Sequence, residues 1–113
     1  MKTFELRLHD QPFASIKSGT KTIEMRLFDE KRSQYSVGDI LIFKKRSNEN
    51  ETLKTEIVAL HKFNSFEELY TNFNKVALGY AENEPAHFTD MEYYYPKEEQ
   101  QKYGVIGIEI KLI

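Results

Sequence analysis

The chain has 113 residues, is 40% hydrophobic and 13% aromatic, and carries a formal net charge of -2. That is enough apolar material for one hydrophobic core and excludes an intrinsically disordered chain; the mild acidity also argues against a protein that coats nucleic acid by bulk attraction. With no cysteine, there is no disulfide, no thiolate zinc site and no cysteine nucleophile.

Charge is unevenly spread. From Lys17 to Arg46 eight Lys and Arg stand against four Asp and Glu, and from Ser47 to Lys102 five stand against eleven. An acidic chain with one basic segment suits a small anionic ligand or a short nucleic-acid contact. A surface that merely segregates its charge would read the same way. The opening "MKTFELRLHD" is charged where a secretory leader is apolar, and no segment is apolar over a membrane's thickness. The expectation is a soluble, cytoplasmic protein of one domain spanning residues 1–113.

In chain order, Thr3 to Leu8 reads as a strand with Phe4, Leu6 and Leu8 on one face. Asp10 is placed to cap a short helix carrying Phe13 and Ile16, and Gly19 permits a left-handed stop. A second strand runs from Lys21, with Thr22, Glu24 and Arg26 on one side and Ile23, Met25 and Leu27 on the other. "SVGDILIF" turns at Gly38 into a strand apolar on both faces, hence central. Arg46 to Thr52 reads as a polar loop and Leu53 to Phe63 as the next strand. Ser65 and Glu68 form a capping-box pattern before Phe66, Leu69, Tyr70 and Phe73. A looser segment follows, then a helical stretch sharing Phe88, Met91 and Tyr95, ended by Pro96, and about one more turn before Gly104. Ile106, Ile108, Ile110 and Leu112 alternate in a last strand. The order β-α-β-β-β-α-α-β lacks the regular alternation of a doubly wound sheet, so an α+β domain is expected: a small curved sheet flanked by short helices.

The polar side of the second strand is the candidate site. A carboxylate two residues from a guanidinium forms an ion pair that contributes about 0–1 kcal/mol if exposed. Lining a cleft, the same pair becomes a pre-oriented acceptor and donor for a base edge or a phosphate. Strand parity sets Lys21 opposite Glu24, yet its long side chain, first after a turn, can reach round the strand end. For amide hydrolysis a desolvated Lys21 would serve as base or nucleophile, Arg26 would stabilise the oxyanion, and Glu24 or a loop Glu would carry the proton. The plain alternative is that Glu24 simply neutralises Lys21 or Arg26. His9, His61 and His87 show no metal-ligand spacing, so neither metal nor cofactor is expected. In "EYYYP" Tyr95 and its neighbours offer rings for base stacking, or one or two core tyrosines with the rest at the surface. Lys31, Arg32, Lys44, Lys45 and Arg46 form a basic rim that would attract phosphates or merely aid solubility.

Three blocks, "IKSGTKTIEMRLFDEKR", "VGDILIF" and "YGVIGIEI", together resemble the ASCH domain, whose hallmark Gly-x-Lys-x-x-Glu-x-Arg is met by Gly19, Lys21, Glu24 and Arg26. The resemblance implies a PUA-like β-barrel and binding of RNA or a modified nucleoside; taken with the reading of the residues above, Lys21, Thr22, Glu24, Arg26, Arg32 and Tyr95 are expected at the ligand. One branch of small members is similar to an amidohydrolase acting on N(4)-acetylcytidine. There a Lys matching Lys21, a Thr on the same strand and a Glu before the last strand are implicated. Here Glu24 stands at that Thr position, and the partner would be Glu82 or Glu84. Three readings stay open: an RNA- or nucleoside-binding module, a hydrolase of such nucleosides or of RNA itself using Lys21, Glu24 and Glu82, and, from the charge distribution, a protein-interaction module using the acidic half.

Overall fold

The computed structural model describes residues 1–113. β1 spans Thr3–Leu8 and buries Leu6 and Leu8, the alternation read from the sequence. α1 spans Asp10–Lys17 and buries Phe13 and Ile16, three residues apart on one face. The expected Asp10 cap is not formed. His9 is the capping position, and the Asp10 carboxylate, already inside the first turn, accepts instead from the backbone N–H of Ser47 at 3.3 Å. β2 starts at Ile23 rather than Lys21 and ends at Leu27. Thr22 is held outside it by its backbone, which donates to Ala77 and accepts from Ile110.

β3 spans Ile40–Lys45, and β4 spans Asn48–Phe63. The expected loop from Arg46 to Thr52 thus shrinks to a turn at Arg46 and Ser47. Polar side chains do not prevent a ladder that the backbone makes. β4 pairs first with β3 and then with β5, and an irregularity between Ile57 and Ala59 re-aims it between the two. β5 is Val105–Leu112. Its first four residues are buried on both faces, and Gly107 lets Ile23 approach so closely that an added Cβ would sit 3.2 Å from the Ile23 methyl.

The helices are short. α2, Phe66–Asn72, starts at Ser65, whose hydroxyl accepts from the Glu68 N–H at 3.2 Å; the reciprocal half of the expected box is absent. α3, Lys75–Leu78, lies in the segment expected to be loose, capped by Asn74 and stopped by Gly79 at φ 113°. Phe88–Tyr93 is a 3-10 helix with a reciprocal cap between His87 and Asp90, and α4, Lys97–Tyr103, is nearly two turns rather than one. None is long and apolar enough to cross a membrane.

The sheet order is β1-β3-β4-β5-β2, antiparallel except for the parallel pair β1 and β3. β3 is interior, as its two apolar faces imply. The sheet curls into a half-barrel of the PUA-like kind, α+β as expected. Its two edge strands meet where the Arg26 guanidinium donates to the Arg7 carbonyl at 3.3 Å. One core, built on Leu41, Phe43, Ile57, Ile106 and Ile108, fills the curl under α1. A second, built on Ile23, Met25, Phe66, Leu69 and Val105, joins β2 and β5 to the helices.

Candidate ligand cleft

At the seam between the two edge strands lies a cleft of about 600 Å³, well within the range of small-ligand sites. Its floor is the polar side of β2. Glu24 and Arg26, two residues apart, share a face, and the Glu24 Oε2 accepts from Arg26 Nε at 2.8 Å with Nη2 also at 2.8 Å. Oε1 lies 3.4 Å from Lys21 Nζ, which donates to the Leu78 carbonyl at 2.9 Å. Parity does not separate Lys21 from Glu24, because Lys21 precedes the strand and its stem bends round the strand end. Both residues are only 5% exposed.

Burial alone would raise the Glu24 pKa. The Arg26 and Lys21 charges outweigh it and hold the carboxyl below its ordinary 4.5. For Arg26, burial acts to lower the pKa and Glu24 outweighs it upward. Two cations against one carboxylate leave the floor net positive.

The facing wall comes from α2, the turn after α3 and the 3-10 helix. Tyr80 OH donates to Asp90 Oδ2 at 2.7 Å, and the Tyr70 and Tyr80 hydroxyls are 2.8 Å apart. Burial, then the bonds to Tyr70 and Asp90, push the Tyr80 pKa far above its ordinary 10. Glu84 lines this wall too, its Oε1 accepting from the Ala81 N–H at 3.0 Å. At the lip stand His9, Tyr93 and Tyr94, with Tyr93 88% and Tyr94 55% exposed. Tyr95 turns inward and stacks on Phe66, ring centres 5.9 Å apart. The tyrosine run thus divides as expected, one ring packed and two at the surface.

Of the residues singled out in the sequence, Lys21, Glu24, Arg26, Glu84 and Tyr95 line the cleft, while Thr22, Arg32 and Glu82 do not. Arg32 pairs with Asp29 at 3.3 Å and keeps a buried Nε without a partner. The basic rim is largely neutralised: Lys44 pairs with Glu5 at 3.3 Å and Lys45 with Glu51 at 3.4 Å. Arg46, which makes no ion pair, is the rim cation that lines the cleft. His61 sits on β4 with Glu109 at 2.9 Å, and no three His, Asp or Glu side chains gather as a metal site. The wall of Tyr70, Tyr80 and Asp90 was not visible from sequence; its one signal was the spacing of His87 and Asp90, a cap in front of the 3-10 helix.

A family model described as the ASCH domain matches residues 2–113, essentially the whole chain. This chain belongs to the ASCH domain family. Among solved structures it is similar to the hypothetical protein PH0355, 32% identical over 100% of both chains with a TM-score of 0.78. It is also similar to protein PF0455 from Pyrococcus furiosus, 30% identical over 98% of this chain and 97% of that one, with a TM-score of 0.70. Among curated proteins none matches.

In this ASCH domain the family pattern has a direct geometric meaning. Its Lys, Glu and Arg are the floor triad, and its Gly, Gly19 at φ 87°, supplies the turn that delivers Lys21 to it. Gly79 is a second glycine the floor depends on. A Cβ there would meet Lys21 Cδ at 3.1 Å and Nζ at 3.4 Å, besides adopting a left-handed conformation. Gly79→Ala is expected to cost about 1–2 kcal/mol from backbone strain alone. The push on Lys21 adds to it. Urea unfolding of the two proteins measures the loss, and equal midpoints would show that the turn relaxes freely.

Proposed function

We propose that this ASCH domain binds one unpaired nucleotide of RNA, or a modified nucleoside, in the cleft above β2. The observation that carries the reading is the buried floor, where one carboxylate holds two cations and leaves it net positive beneath about 600 Å³ of open space. Lys21 has three donors, one spent on Leu78 and one facing Glu24, so a third is free for a ligand oxygen or ring nitrogen. Arg26 offers charge-assisted donors beside it. Glu24 orients both, and Arg46 at the lip suits a phosphate. The space suits a flipped-out or single-stranded base rather than a duplex, whose shape would need a long basic face. Members of the ASCH family are thought to bind RNA, in keeping with this reading.

The test is fluorescence anisotropy of a labelled single-stranded RNA hexamer and of the same sequence as a duplex, at 50 and 200 mM salt. Binding of the single strand with a shallow salt slope, about -0.7 per phosphate contact, and none of the duplex is expected. No binding of single strands at low salt overturns the proposal.

A second reading, hydrolysis of an N(4)-acylated cytidine, is favoured by one observation: Glu84 lines the same cleft as Lys21, while Glu82 does not. Glu84 rather than Glu82 would then move the proton. Against it, both oxygens of Glu24 are committed to cations. Release of cytidine from N(4)-acetylcytidine, followed by chromatography, separates the two readings.

A further inference from the structure

The hydrogen bonds of the wall have a direction. Asp90 is acceptor-only as a carboxylate, and its Oδ2 takes the Tyr80 hydroxyl proton at 2.7 Å while also facing the His87 N–H that it caps. Tyr80 has one proton, and it is spent on Asp90. The 2.8 Å contact between the two hydroxyls is therefore made with Tyr70's proton pointing at the Tyr80 oxygen. Tyr70 in turn has no proton left, and its oxygen presents lone pairs only. Along this wall the spare capacity of Tyr70, Asp90 and Glu84 is thus for accepting hydrogen bonds, whereas the floor opposite, Lys21 and Arg26, has only donors to spare.

We propose that this polarity makes the cleft selective for a base whose edge carries a ring-nitrogen or carbonyl acceptor beside an exocyclic amino group. Cytosine and adenine have that edge, and it discriminates against the 4-oxo and 6-oxo edges of uracil and hypoxanthine. The acceptor of the base takes a donor from the floor, and its amino group donates to the wall. An oxo group in the amino position sets lone pair against lone pair and leaves buried polar groups unsatisfied. Tyr80 is the specificity-determining residue, although it acts through Tyr70: it holds the Tyr70 proton away from the ligand. The inference rests on the cleft being a nucleotide site, and the experiment separates the two.

Calorimetric titration compares the 5′-monophosphates of cytidine and adenosine with those of uridine and inosine. Wild type is expected to bind the amino-bearing pair roughly 10-fold more tightly than the oxo pair. In Tyr80→Phe, Tyr70 is free to turn its proton toward the ligand, and the ratio is expected to fall to within about 2-fold. A merely structural role for Tyr80 would weaken all four ligands together and leave the ratio unchanged. Should Tyr80→Phe fail to fold, Tyr70→Phe removes the acceptor while keeping the Tyr80 to Asp90 bond, and predicts the same collapse. Binding of all four nucleotides without preference overturns the selectivity, and a ratio that survives in the variant overturns the role assigned to Tyr80; either result leaves the nucleotide site standing. Binding of none of the four overturns both.

Discussion

Glu24→Gln lowers the stability of this protein by about 3–5 kcal/mol, the cost of removing one partner from a buried charge cluster. The change is nearly isosteric, so packing contributes little. What it leaves is Lys21 and Arg26 facing each other across a neutral amide, the lysine 5% exposed and the arginine side chain 16%. At about 4–8 °C per kcal/mol for a domain near this size, the melting temperature falls by more than 10 °C. The double variant Glu24→Gln, Arg26→Gln recovers part of that loss, because the cause is an uncompensated cation rather than a missing shape. Equal stability of wild type and single variant by urea unfolding would sink the idea that the triad is held by Glu24.

The same residue predicts a pH dependence. Glu24's folded pKa lies below its unfolded value of about 4.5, held down by Arg26 and Lys21 against burial. Above 4.5 the unfolded and folded states are both ionised and the full contribution is present. As pH falls below it the unfolded state takes up the proton first, and the contribution is lost as pH passes through the folded value. The wild type therefore shows a steeper acid limb than Glu24→Gln, whose stability falls less as pH drops below 4.5.

Lys21→Met is the second large effect, and it falls on binding more than on the fold. Methionine has nearly the length of the lysine stem, and Glu24 keeps both bonds to Arg26. The unfilled Leu78 carbonyl costs about 1–3 kcal/mol of stability. Affinity for single-stranded RNA is expected to fall roughly 10- to 100-fold, the worth of one charge-assisted hydrogen bond plus the charge itself. If the cleft hydrolyses an acylated cytidine instead, the same variant abolishes cytidine release. Unaltered anisotropy titrations with Lys21→Met would remove the floor from the ligand's path.

Much of the architecture was legible residue by residue. Period-two patterns in Thr3–Leu8 and Val105–Leu112, the doubly apolar Ile40–Phe43 and the Ser65 cap come from interactions within a few residues, and those survive into the fold. Errors arose where a distant partner overrode a local preference. The Asp10 carboxylate, on the first residue of its helix, is turned to the Ser47 N–H instead of capping, and the polar run Asn48–Thr52 was drawn into a strand by β3. Lys75–Leu78 is a different case: its Asn74 cap and Gly79 stop are local, and at four residues it is too short to show a periodicity.

The candidate site divides along the same line. Gly19, Lys21, Glu24 and Arg26 lie within eight residues, so their spacing alone brought them together on the page and in space. Whether they formed a solvated face or a buried floor was not in that spacing. It was settled by the curl of the sheet, which carries the edge strand β1 against β2, and by α3, whose Leu78 and Gly79 close over the lysine. The wall required still more distant meetings, Tyr70 with Tyr80 and Tyr80 with Asp90 across three elements. Local periodicity reports which face a residue takes, but only packing between elements far apart in the chain decides what stands opposite that face, and a site is made of what stands opposite.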